Sequence, residues 1–245
     1  MPPEQGLGWS KEMTGLSDYA RMATANGLSR EKTSQKSGQI FRKAALVTDT
    51  RLKEILSALD TMSPEQREAN RPKCSYGCAY CCYQWVRCTA MEVFVVADHI
   101  RATWPEEKVS ELISALALYR IEFQKIPPNT ISSLCCPLLV DNVCSVYEVR
   151  PFICRGCNSL DVEACRLGML DPEGGTMIPV AAPLITVAGA MRTGIGNGLR
   201  DAGLQSVELA FGLALETALT VPDAADRYFA GESVFEGDVA HSIKK

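Results

Sequence analysis

Ile40, Phe41, Ala44, Ala45, Val47, Leu52, Ile55, Leu56 and Leu59 recur at roughly helical spacing, the first sustained period in the chain. Residues 1–39 are polar, frequent in Gly, Ser, Thr and Lys, and carry no such period. They read as a loosely ordered N-terminal extension draped on the body. Ser63-Pro64-Glu65-Gln66 has the form of a capping box with Pro at the first helical position. Thr89-Ala90-Met91-Glu92 is a second box, leading into Val93, Phe94, Val96, Ala97 and Ile100, and its helix is predicted to stop near Trp104. Pro105 opens another, with Glu106 and Glu107 in the first turn where the helix dipole favours them. That helix is predicted to reach about Lys125, where Pro127-Pro128-Asn129 breaks it. Residues 130–175 are dense in Cys, Pro and Gly and predict irregular structure with one short hairpin at Asp141-Asn142. Leu184 to Leu199 and Leu204 to Leu219 predict two further helices, followed by a short helix or tail. No strand–helix alternation appears, which argues against a parallel α/β sheet. The expected fold is mostly α: a helical bundle-like domain over residues 40–245 with an irregular centre.

That centre holds the chemistry. All eleven cysteines lie between Cys74 and Cys165. Thiols serving as small apolar filler scatter; these bunch, most densely at Cys74-Ser-Tyr-Gly-Cys78-Ala-Tyr-Cys81-Cys82. On a helix, at about 100° per residue, Cys74, Cys78 and Cys81 fall in a stripe roughly 60° wide. In a loop, Cys78 and Cys81 can wrap a single ion as a knuckle. Adjacent cysteines rarely serve one ion together, so Cys82 is a ligand to a second metal or a bystander. The second group comprises Cys135, Cys136, Cys144, Cys154 and Cys157, in loops that can turn backbone N–H groups toward sulfur. Arg150 and Arg155 flank Cys154 and can offset thiolate charge or serve as ion-pair residues. Cys88 and Cys165, at looser spacing, read as buried thiols.

Composition narrows the setting. At 245 residues the chain is long enough for a real core without disulfide staples, and 47% hydrophobic with 22% charged residues is ordinary for a globular domain. A net charge of −4 gives no general attraction to nucleic acid or anionic lipid. The N-terminus lacks the pattern of a secretory signal, and the longest apolar run, Ile178 to Ala188, is interrupted by Pro179 and Pro183. A cytoplasmic location is expected. Thiols stay reduced there, and the odd cysteine count also disfavours complete disulfide pairing.

Other motifs compete less well. Cys74-x3-Cys78-x2-Cys81 with Tyr80 mimics the cluster loop of radical S-adenosylmethionine enzymes, but the β/α-barrel context that loop requires is missing. Gly194-Ile-Gly196-Asn-Gly198 hints at a nucleotide loop but lacks the dinucleotide spacing, and reads as small residues for close helix packing or a turn. His99 and His241 are the two histidines; His99 reads as a half-buried or surface residue, and its neighbour Asp98 as a solvated one.

Several strings together resemble the YkgJ-like CxxCxxCC family, the zinc- or iron-chelating cysteine-cluster proteins. They are Cys74, Cys78, Cys81 and Cys82; then Val86-Arg-Cys-Thr89-Ala-Met-Glu92; then Cys136-Pro-Leu-Leu; and Cys144-Ser-Val-Tyr147-Glu148-Val-Arg150-Pro151-Phe-Ile-Cys154-Arg155. The likeness covers about residues 70–160. It implies a metal-chelating domain with about eight cysteine ligands, and some relatives resemble flagellin lysine-N-methylases. The expected ligands are Cys74, Cys78, Cys81, Cys82, Cys136, Cys144, Cys154 and Cys157, within a metal-binding core of about 70–170, with C-terminal helices over about 183–230. The cofactor is an iron–sulfur cluster or zinc, with a lean to iron–sulfur because adjacent cysteine pairs suit polynuclear centres. A redox or protein-modifying role, a structural zinc module and a metal carrier all stay open, as does a protein substrate or partner.

Overall fold

The computed structural model describes residues 3–126, 134–171 and 175–240, with side chains from Ser10 onward. The N-terminal stretch is helical, not loose. Helix α1 spans Pro3–Arg30, and α2 spans Ser34–Ala58 with Thr33 as N-cap accepting from the Lys36 N–H. The polar text of α1 hides its burial, because Ala20, Thr24 and Leu28 face inward and two of these are small. Short helix α3 (Pro64–Asn70) begins at the Ser63–Gln66 capping box expected from sequence. A two-residue strand β1 (Arg87–Cys88) leads into α4 (Ala90–Thr103), capped by the Thr89–Glu92 box and ended at Trp104. Helix α5 follows from Glu106 to Phe123 after Pro105. The Pro127-Pro128-Asn129 break lies outside the described residues.

Strands β2 (Leu139–Val140) and β3 (Val143–Cys144) form the expected hairpin, antiparallel, with Leu139 opposite Cys144. Its turn residues Asp141 and Asn142 sit at φ 50° and 62°, the left-handed region that Asp and Asn tolerate. Among the described residues, the stretch 145–171 is more ordered than its composition predicts. Helix α6 (Phe152–Gly156) and helix α7 (Val162–Leu170, N-capped by Asp161) lie within it. Then come α8 (Ala182–Asp201), β4 (Leu209–Ala210), α9 (Phe211–Thr220) and α10 (Ala224–Phe229). The helix expected from Leu204 starts only at Phe211. Gly203, at φ 72°, ends α8, and the chain then runs extended so that β4 can pair antiparallel with β1.

Helix α4 is central: Ala90, Met91, Val93, Phe94, Val95, Val96, Ala97 and Ile100 are all buried, so this helix is apolar on nearly every face. It packs on α2 and α9; α5 covers α9, and α1 and α6 both lie on α8. Phe94 meets Tyr228 and Phe235 at ring-centroid distances of 5.3 Å, and Phe41 of α2 meets Phe152 of α6 at 5.1 Å. Arg120 ties α5 to the chain's end, bonding Glu216, Asp238 and the Leu213 carbonyl. The fold is mostly helical. Among the described residues, no helix is long and apolar enough to cross a membrane.

Candidate metal centre

The first cysteine segment is a loop with a 3-10 turn at Tyr80–Tyr83, not the helical stripe that one reading of its spacing allowed. Gly77, at φ 80°, bends the loop, and the Cys78 N–H bonds back to the Ser75 carbonyl at 3.0 Å. Two backbone bonds fasten it to the second segment. Lys73 donates to the Ser159 carbonyl, and Cys136 donates to the Cys82 carbonyl, both at 2.8 Å.

The second segment is held from the core side. Buried Glu92 accepts the Thr89 N–H at 2.6 Å, the Thr89 hydroxyl at 2.8 Å and the Phe152 N–H at 2.7 Å. One carboxylate therefore caps α4 and fixes the start of α6, which carries Cys154. Gly156 lets α6 sit directly on α8: an added Cβ would lie 2.5 Å from the Leu184 carbonyl oxygen. Asn158 spans the next turn, accepting from the Ala181 N–H at 2.7 Å.

These constraints bring the two sets of thiols together. Cys81 is the meeting point. The thiols of Cys157 and of its own neighbour Cys82, as proton donors beside it, pull it far below the ordinary thiol value. The two donors are pushed up correspondingly. Cys74, Cys136, Cys144, Cys154 and Cys165 all lie within electrostatic range of Cys81. Burial pushes Cys136 up to about 12 and Cys154 well up. Backbone N–H groups aim at three of the sulfurs: Ser159 at Cys74 (3.3 Å), Leu138 at Cys136, and Val146 at Cys144. Such N–H contacts favour thiolate over thiol.

All eleven cysteines are free thiols. Among the described residues, no group of three or more His, Cys, Asp or Glu side chains stands in an arrangement that could hold a metal ion as it is. The sulfurs are neighbours without forming a coordination shell. The donors present are soft thiols, of which Cys74 accepts a backbone N–H at its sulfur and both Cys74 and Cys81 are exposed, a chemistry that suits a thiophilic metal.

The remaining residues sort clearly. Cys165, read from sequence as a buried thiol, is half-buried, with its thiol against Ser159 and within electrostatic range of Cys78 and Cys81. Its spacing gave no signal, because α7 returns it to the cluster through the fold. Cys88 is fully buried and donates to the Leu209 carbonyl at 3.8 Å, a structural thiol. Cys135 is exposed and meets the Cys136 carbonyl and Tyr83. Arg155 is committed to Asp49 at 2.7 Å and the Glu148 carbonyl at 2.6 Å, so it is an ion-pair residue. Arg150 stacks on Tyr147 and lies within electrostatic range of Cys144. Asp98 is half-buried rather than solvated and accepts from Ser34 at 2.5 Å. No protein-family model, no curated protein and no solved structure matches this chain.

Proposed function

We propose that this chain is a metal-chelating protein whose thiolates bind an iron–sulfur cluster, zinc, or both, in the manner of the YkgJ-like family it resembles. The ligands come from Cys74, Cys78, Cys81, Cys82, Cys136, Cys144, Cys154 and Cys157, with Cys165 added by the fold. The observation that carries the reading is the fastening of the two cysteine segments to each other: the Cys136 N–H donates to the Cys82 carbonyl at 2.8 Å, and the Ser159 N–H donates to the Cys74 sulfur at 3.3 Å. Cys81 and Cys82 are adjacent in sequence, and an adjacent pair suits a polynuclear centre better than a single ion. The lean is therefore to iron–sulfur. A cytoplasmic setting, where thiols stay reduced, is part of the proposal.

The radical S-adenosylmethionine reading finds no support in the fold. The described strands are two residues long and pair antiparallel, so the barrel it needs is not among the described residues.

The test is anaerobic purification followed by an absorption spectrum and elemental analysis. Broad visible absorption with stoichiometric iron and sulfide supports clusters, and a colourless protein with zinc moves the assignment to zinc. Cys81→Ser and Cys154→Ser are expected to lose metal, whereas Cys135→Ser retains it. A protein that takes up neither metal, or a Cys81→Ser variant that keeps its full complement, overturns the reading.

A further inference from the structure

The glycines of α8 divide between two faces. Gly194 and Gly198 face α1, where an added Cβ would lie 2.2 Å from the Ser17 carbonyl oxygen and 2.5 Å from the Thr24 Cβ. Gly196 is rotated about 200° from both at roughly 100° per residue. A Cβ there would meet nothing closer than the Ser206 Oγ at 3.7 Å and the Thr89 Cγ2 at 3.9 Å. One turn on each side of Gly196 stand Arg192 and Arg200, so this face reads arginine, gap, arginine. The gap opens into a cavity of about 160 Å³, also lined by Thr193, Asn197 and Glu208.

We propose that this notch between Arg192 and Arg200 binds a compact oxyanion, a phosphate or carboxylate group of a small molecule. The charge balance favours an anion. Glu208 is the carboxylate in the lining, and it is shared between Arg192 at 2.8 Å and Arg87 at 3.4 Å. Asp201, next to Arg200 in sequence, is paired with Arg21 at 2.6 Å on the other side of the helix. The Arg192 Nε–H is buried and has no acceptor. Guanidinium groups present planar donor forks suited to carboxylate and phosphate. A cavity of roughly 150 Å³ is enough for a ligand the size of benzene, so this volume admits a compact oxyanion. Cys88 lines the same cavity.

The test is calorimetric titration of the purified full chain, at constant ionic strength, with inorganic phosphate and separately with malonate, chloride serving as control. Saturable binding of one equivalent of either oxyanion is expected, and the preferred one identifies the phosphoryl or carboxylate source. Arg200 is exposed, so Arg200→Ala leaves the fold intact and is expected to weaken binding about tenfold or more. Gly196→Val fills the gap and is expected to abolish binding with metal content unchanged. Failure of both anions to bind at millimolar concentration overturns the site. So does wild-type affinity in both variants, which would place binding elsewhere. Neither result bears on whether the cysteines hold metal.

Discussion

Glu92 is a carboxylate without solvent, and its three donors are a backbone N–H and a hydroxyl from Thr89 and a backbone N–H from Phe152. Burial pushes its pKa up from the ordinary 4.5, against the pull of those donors. The sign follows: the folded chain holds the proton more tightly than the unfolded one. The stabilising contribution of this carboxyl is complete below 4.5 and is lost as pH rises through the raised folded value. Glu92→Gln replaces one acceptor by an amide NH₂ facing buried donors. It is expected to cost about 1–3 kcal/mol. The gap to wild type should be widest in acid and narrow with rising pH, as read from urea denaturation at several pH values. A pH-independent gap would show that burial does not govern this group.

At the scale of elements, the contact between α1 and α8 depends on two absent side chains. Gly198→Ala sets a Cβ 2.5 Å from the Thr24 Cβ and 2.6 Å from the Arg21 carbonyl oxygen, and backbone cannot move aside cheaply. The expected loss is about 1–3 kcal/mol. Gly196→Ala, on the opposite face, meets only ordinary contacts and removes a poor helix former, so a gain of up to about 1 kcal/mol is expected. Thermal melts of the two variants decide it, and equal effects would mean that α1 does not pack on α8 as described. This interface also explains why α1 was illegible as a helix. Its buried residues Ala20 and Thr24 are small because the backbones approach closely, and small residues leave no hydrophobic period to read.

Across the whole molecule, apolar burial is uneven. Helix α4 lies inside the core, whereas α7 has no buried residue and the Cys74–Tyr83 loop buries only Ala79. Segments with so few apolar contacts open easily. Ligand binding to the folded form alone stabilises what it touches. Hydrogen exchange is therefore expected to slow on metal loading in residues 74–83 and 157–167, with α4 and α8 unchanged. Unaltered exchange in those loops at saturating metal would count against a centre between them.

Elements whose causes are local were legible in the letters alone. The Ser63 and Thr89 capping boxes, the stop at Trp104, the start after Pro105 and the Asp141-Asn142 turn rest on interactions within a few residues, so their letters suffice. Clustered cysteines likewise marked one region as chemically distinct. Packing set what depends on distant partners. It turned the Leu204–Ala210 stretch into an extended segment because β1 lies alongside it, and it made α1 a packed helix because α8 offers glycines. It also gathered Cys165 to the Cys74 side, left Cys88 in the core, and set Arg192 and Arg200 around a gap at Gly196. Spacing along a chain fixes which residues can share a turn. Only the packing of whole helices fixes which turns share a place.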